Sequence, residues 1–499
     1  MSVTNDNIAR PSSTSDRSRW IALVVLCVGM LMIVLDATIV NVALPKIQTD
    51  LGFSQSSLAW VVNAYLISFG GLLLFAGRLG DLLGRRDVFF AGLVLFTGAS
   101  LACGVADSQG VLVVARFIQG IGGALTSAVI LGMIVTMFPE PGEQARAIGV
   151  YAFVASAGGS IGLLAGGAIT QAINWHWIFI VNLPIAVLTG TLSLRYLSRD
   201  RGLGFSKGAD LPGAGLIVAA LMMGVYAIVE ASDYGWGSAH TLGFGAGAVA
   251  LLIGFVVREG RAANPLVPLR IFRSRNLSGA NAIQALMVAG MYGMFFLGAL
   301  YLQKVLGFDS LEVGLGFIPV TAIIGTLSLG FSAKLNLRFG AKATLVPGLV
   351  SVAAGLALFS RISVDGDYWS EVLPAMVLIG IGAGLSFPSL MSLAMSGVRP
   401  EEAGLASGLV NTTLQVGGAL GLAVLATLST NRTTDLVNGG EGSHAALTSG
   451  YQLAFIVGAG LVVGAVAIAL AVLRTGTPAG EAAAVEAAEA EPAFSSEAA

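Results

Sequence analysis

Fourteen separate apolar runs, each about as long as a membrane core is thick, constrain this chain more than any motif in it. They cover 20–44, 57–77, 88–106, 111–137, 147–171, 177–196, 211–230, 241–257, 278–302, 313–331, 343–360, 370–390, 403–427 and 451–473. A helix rises 1.5 Å per residue, so about 20 apolar residues cross a hydrocarbon core of about 30 Å. Such runs satisfy their backbone polar groups in lipid as helices, so an all-α polytopic membrane protein is expected. Charge agrees: 11% of the 499 residues are Asp, Glu, Lys or Arg, against about 25% in a soluble domain. The first run could imitate a signal peptide, but it carries Asp36 and lacks a small-residue cleavage site, so it is expected to stay.

Orientation follows from the bases. If the N-terminus is cytoplasmic, 21 of the 26 Lys and Arg fall on inside segments and four on outside ones, with Arg116 left within a run. That asymmetry predicts cytoplasmic termini and supports an even number of spans.

Two loops repeat. Leu51-Gly52-Phe53-Ser54 returns as Leu306-Gly307-Phe308-Asp309, and the Gly77–Arg86 loop returns in degenerate form as Ala333–Lys342. The two offsets agree within one residue, as a duplicated six-helix unit would give. Six is even, so both copies face the same way, the arrangement of parallel repeats. The expected organisation is a tail 1–19, a six-helix bundle 20–200, an inserted helix pair 201–258, a second bundle with its linker 259–475, and an Ala/Glu tail 476–499.

Several function classes drop out. No lysine completes a G-x-x-x-x-G-K-[ST] phosphate loop, so ATP is not expected to drive this chain. Three scattered histidines (His176, His240, His444) make a metal site unexpected, and no cofactor is expected. A net charge of −2 gives no reason to expect nucleic acid. A membrane enzyme would need a polar catalytic cluster at helical spacing, and none is visible.

Asp36 is the only acid well inside a run. An unpaired carboxylate in a membrane is expensive, so it must face a cavity, pair, or take up a proton. It lies about 12 Å below the end of the first helix, and Arg116 and Gln119 lie roughly 8 and 12 Å below the same surface on the fourth. Two readings stay open: a static pair tethering the two helices, or a carboxylate that exchanges a proton when the pair parts. Both hold if the pair separates in one conformation. The other polar residues expected around a cavity are Asn41, Asn63, Tyr65, Asn281, Gln284, Asn411 and Gln415 with Gln119. So few polar groups suit apolar or amphipathic small molecules better than sugars or phosphorylated metabolites.

The motifs now add up to a resemblance. Leu35-Asp36-Ala37-Thr38-Ile39-Val40-Asn41-Val42-Ala43-Leu44-Pro45, the Gly77–Arg86 loop, Leu112–Gly122 and Pro265–Arg273 stand in the order seen in the fourteen-helix drug:proton antiporters of the major facilitator superfamily, which the chain resembles over roughly 20–475. The resemblance implies two six-helix bundles plus an inserted pair, located in the cell membrane, exporting small molecules against protons, and acting as a monomer. It implies proton coupling at Asp36 and Arg116. It also implies a conformational latch at Gly77, Asp81, Gly84, Arg85 and Arg86, with Asp81 docking near Ala403–Gly408; the alternative is a solvated turn at Asp81 with Arg85 and Arg86 as plain inside anchors. The alternatives are a dedicated exporter of one metabolite or self-made antibiotic and, more remotely, a non-transporting sensor or scaffold, which would be expected to lose these residues. One position departs. The antiporter motif G-P-x-x-G-G reads Gly162-Leu163-Leu164-Ala165-Gly166-Gly167, with leucine for proline. Gly158, Gly162, Gly166 and Gly167 still imply close helix packing.

Overall fold

The computed structural model describes residues 16–54, 56–200, 202, 204, 210–396, 398 and 403–474. The tail before residue 16, Arg201, Lys207, Arg399 and the tail 476–499 lie outside the described residues. Every regular element among the described residues is helical.

The first half contains α1 (Asp16–Leu51), α2 (Trp60–Leu83), α3 (Arg85–Gly104), α4 (Gln109–Met137), α5 (Pro141–Ala172), α6 (Trp177–Ile180) and α7 (Asn182–Tyr196). A hairpin of α8 (Leu211–Tyr234) and α9 (Ala239–Glu259) follows. The rest contains α10 (Arg275–Lys304), α11 (Ser310–Gly316), α12 (Ile318–Thr326), α13 (Ser332–Phe339), α14 (Ala341–Phe359), α15 (Leu373–Met395), α16 (Ala403–Asn438) and α17 (Ser443–Val472).

Twelve helical stretches are long and apolar enough to cross a membrane. The two remaining apolar runs of the sequence fall on shorter apolar stretches, Ile161–Ala172 within α5 and Ser310–Thr326 across α11 and α12. The second of these is jointed. Pro319 in the first turn of α12 has no N–H to continue a preceding helix, and a π-helical turn at Leu327–Phe331 leads into α13. A proline also explains the joint at Val181 between α6 and α7. Pro184 has no N–H for the carbonyl four residues earlier, at Ile180, where α6 ends.

Small residues set the packing. A Cβ at Gly122 of α4 would collide with the Phe96 nitrogen of α3, and one at Gly421 of α16 with the Ala289 Cα of α10. Backbones that approach this closely gain dispersion contacts, which drive helix association in lipid where burial of apolar surface does not.

The start of α1 and the end of α17 lie on one face. Arg19 at the start of α1 reaches the Met137 carbonyl at the end of α4, and Arg474 after α17 bonds Asn276 at the start of α10. The far ends of α1 and α10 meet on the opposite face, where Gln303 donates to the Val42 carbonyl at 3.0 Å. α8 lies against both α2 and α16: Val218 sits over Gly71, and Thr427 donates to the Ile228 carbonyl. It thus covers the seam between the two halves from the side, while α9 packs on α8 and is otherwise almost fully exposed.

Candidate functional site

Asp36 and Arg116 are both buried, at 0% and 1% exposure, so the pair is closed to water. Arg116 Nη1 donates to Asp36 Oδ2 at 2.6 Å and to Gln119 Oε1 at 2.7 Å, and Nε donates to the Val61 carbonyl of α2 at 3.0 Å. The Tyr65 ring lies 4.4 Å from the guanidinium carbon, a cation–π contact that covers the charge. The other carboxylate oxygen, Oδ1, accepts from Gln119 Nε2 at 2.7 Å and from Asn182 Nδ2 at 2.9 Å. Three donors from two helices therefore hold one carboxylate, the arrangement a buried charge requires. The common depth expected from residue counts on α1 and α4 becomes direct contact.

Two members of this cluster are absent from the sequence reading. Ser100 Oγ accepts from Gln119 Nε2 at 3.1 Å and Asn182 Nδ2 at 3.0 Å and donates to the Phe179 carbonyl at 2.8 Å. A serine in an apolar run carries no signal. Asn182 is the only amide in the run 177–196, which is the one hint it offers.

The eight residues expected around a cavity divide. Gln119 belongs to the Asp36 cluster. Asn281 accepts from Thr413 at 2.7 Å and Gln284 donates to the Val410 carbonyl at 3.2 Å, so both fasten α10 to α16. Asn411 is exposed and donates to the Ser407 carbonyl of its own helix, and Asn41 is half-buried. Asn63 is fully buried with neither amide atom bonded. The Tyr65 hydroxyl is likewise unpaired, while Gln415 accepts from Tyr292 of α10 at 3.5 Å. Gln415 packs on Gly70 of α2, so with its partner Tyr292 it stands where the two halves meet.

The loop after α2 is built from its own charges. Gly84 has a φ of +100°, and a Cβ there would meet the Asp200 carbonyl at 2.7 Å, so two separate constraints favour glycine. The turn delivers the Arg85 nitrogen to Asp200 at 3.0 Å, placing a carboxylate at the N-terminus of α3. Arg85 pairs with Asp81 at 3.2 Å and donates to the Gly132 carbonyl at 3.0 Å, and Arg86 reaches the Leu194 carbonyl at 2.8 Å. Gly77 has open space beside it. α16 runs antiparallel to α2, with Gln415 against Gly70 and Gly408 against Leu74, so its start points toward Asp81. Residues 399–402, just before α16, lie outside the described residues.

The α5 glycines face two partners. Cβ atoms at Gly158, Gly162 and Gly166 would meet Val34, Thr38 with Leu35, and Ile39 of α1. Gly167 instead faces the Ser310 carbonyl at 2.5 Å, and Gly314 of α11 faces the Leu163 carbonyl at 2.7 Å. Leu163, standing where the motif has proline, is 2% exposed and helical, so α5 runs on as one element through this crossing.

The described residues thus form a fold of long apolar helices with a buried charge cluster in its first half. The Major Facilitator Superfamily profile matches residues 26–422, and the chain belongs to that family. It is 39% identical over 451 residues to the puromycin resistance protein of Streptomyces alboniger, covering 90% of this chain and 89% of that one. It is 38% identical over 463 residues to the cephamycin export protein of Amycolatopsis lactamdurans, covering 92% and 93%. Among solved structures, a bacterial homolog of the human lysosomal transporter Spinster, inward-facing and unoccupied, superposes with a TM-score of 0.66 at 17% identity, covering 91% of this chain and 97% of that one. That likeness speaks to the fold.

Proposed function

We propose that this protein is a proton-driven secondary exporter of hydrophobic or amphipathic small molecules, antibiotics among them, working by alternating access. The observation that carries the reading is a carboxylate with 0% exposure whose only cationic partner among the described residues is Arg116. When α4 shifts away from α1 and Arg116 departs, a carboxylate without its cation in a low-dielectric site takes up a proton. Proton entry from one side and release to the other then drive substrate the opposite way. The relatives supporting export are named for resistance to, or export of, puromycin and cephamycin.

The remaining assignments belong to the same reading. The face bearing the start of α1 and the end of α17 is cytoplasmic, the membrane is the cell membrane, and the protein works as a monomer. Fourteen spans, with α5 and the α11–α13 stack as the fifth and tenth, make up bundles 20–200 and 259–475 with 201–258 inserted. Tyr65, Tyr292 and Gln415 line the substrate path where the halves meet. Gly77, Asp81, Gly84, Arg85 and Arg86 latch the cytoplasmic side.

Proteoliposomes with an imposed pH gradient test the coupling, with ethidium as a fluorescent lipophilic cation and puromycin as the second probe. Asp36→Asn keeps the shape and removes the titratable group, so gradient-driven accumulation should fall to the passive leak while downhill exchange survives. Undiminished accumulation by Asp36→Asn would point instead to a uniporter. A second reading, export of one self-made antibiotic, is favoured by the single compounds for which those relatives are named. A panel of unrelated drugs separates the two: protection against one compound alone supports the dedicated exporter.

A further inference from the structure

We propose that Asn182 is a positioning residue for Asp36, anchored by Ser100, and that it sets the pH at which Asp36 takes up a proton once Arg116 has parted from it. This rests on the reading of Asp36 as the proton-exchanging group.

The geometry is a closed ring of hydrogen bonds. From Asp36 Oδ1 the ring runs through the Gln119 amide nitrogen to Ser100 Oγ, and back through the Asn182 amide nitrogen. Each amide uses both of its N–H groups, one on the carboxylate and one on the hydroxyl. Ser100 accepts twice and donates its own proton to the Phe179 carbonyl, so its capacity is full. This fixes the sense of Asn182: nitrogen toward Asp36, oxygen away. The cost is visible, because Asn182 Oδ1 is buried and has no partner. An amide with a free choice would turn to satisfy that oxygen. Here the carboxylate charge outweighs it.

The two amides differ in what carries them. Gln119 stands one turn from Arg116 on α4, and its Oε1 is bonded to Arg116 Nη1. A movement of α4 that takes Arg116 from Asp36 takes Gln119 with it. Asn182 is on α7 and Ser100 on α3, so their hold on Oδ1 does not depend on α4. Once the cation has gone, Asn182 is the donor left to favour the charged form, and a hydrogen bond to the charged form makes protonation harder. Among the described residues, the other titratable groups near the cluster are Arg116 of α4, Tyr65 of α2 and Cys103 of α3. Tyr292 of α10 lies behind Tyr65, Tyr151 of α5 faces Cys27 farther down α1, and Arg195 and Tyr196 are in the last turn of α7. α6 carries none.

The test needs no substrate. Infrared spectra of the full-length protein in liposomes are recorded across a pH series, following the C=O band of a buried carboxylic acid, assigned to Asp36 by its loss in Asp36→Asn. Asn182→Leu should move the midpoint of that band about one pH unit toward alkaline. Ser100→Ala, which frees the amide but keeps it, should move it less in the same direction, and serves alone if Asn182→Leu does not fold. A band present in the wild type with an unchanged midpoint in the variants overturns the role of Asn182 and leaves proton exchange at Asp36 standing. If the wild type shows no Asp36 band at any pH, the proton-exchange reading falls and this proposal with it.

Discussion

Gln303 Nε2 donates to the Val42 carbonyl across 261 positions of sequence, joining the end of α10 to the end of α1. Beside it Lys304 reaches Gln48, and a few residues on Gly167 and Gly314 let α5 and α11 cross at backbone distance. The face opposite the start of α1 and the end of α17 is therefore bridged between the two halves, by polar contacts at the tips and glycine contacts beneath them.

Opening that face must break the tip contacts first. A neutral hydrogen bond contributes about 1 kcal/mol, so Gln303→Ala should raise the population of the open form about fivefold. A cysteine at Val42 would report it through faster labelling by a membrane-impermeant maleimide. The native Cys27 and Cys103 are buried and should stay silent. An unaltered labelling rate would mean that the glycine crossing alone keeps this face closed.

The buried pair predicts an asymmetry in stability. Removing one partner of a buried ion pair leaves a stranded charge, at about 3–5 kcal/mol, whereas neutralising both costs far less. Arg116→Ala should therefore lower the unfolding temperature in detergent markedly. The double variant Asp36→Asn/Arg116→Gln should recover much of the loss. Equal destabilisation of the two variants would show that the guanidinium matters for packing rather than charge.

Asp81 is 43% exposed at its side chain and pairs with Arg85 one turn on. Such a pair contributes only about 0.3–0.5 kcal/mol, so Asp81→Asn should leave folded yield near wild type. A contact with the start of α16 would add about 0.3–1 kcal/mol to the closed cytoplasmic state alone. Slower transport at unchanged yield is the expected result. Wild-type rates at every pH would remove the latch.

The α8–α9 hairpin fixes the sidedness of everything after it. The turn at 235–238 contains no Lys or Arg, whereas the linker beyond α9 carries Arg261, Arg270 and Arg273. A reporter fused at Gly237 should be extracellular and one at the C-terminus cytoplasmic. A cytoplasmic signal from Gly237 would break the fourteen-span topology.

Much of this was legible along the chain, because a membrane imposes its rules locally. Hydropathy marks where helices run, basic residues mark the expected inner loops, and Asp36 announces itself because a carboxylate in an apolar run is costly. Counting residues along α1 and α4 even placed Arg116 and Gln119 at the depth of Asp36. Packing decided the rest. No spacing reveals that Ser100 of α3 and Asn182 of α7 complete the ring around that carboxylate. Nor does it reveal that Asn281 and Gln284 spend their hydrogen bonds fastening α10 to α16, or that Gly167 meets α11 while Gly162 and Gly166 meet α1. Depth in the bilayer is a function of position in sequence. Which faces of two helices meet depends on crossing angle and rotation, and these are settled by side chains on every neighbouring helix at once.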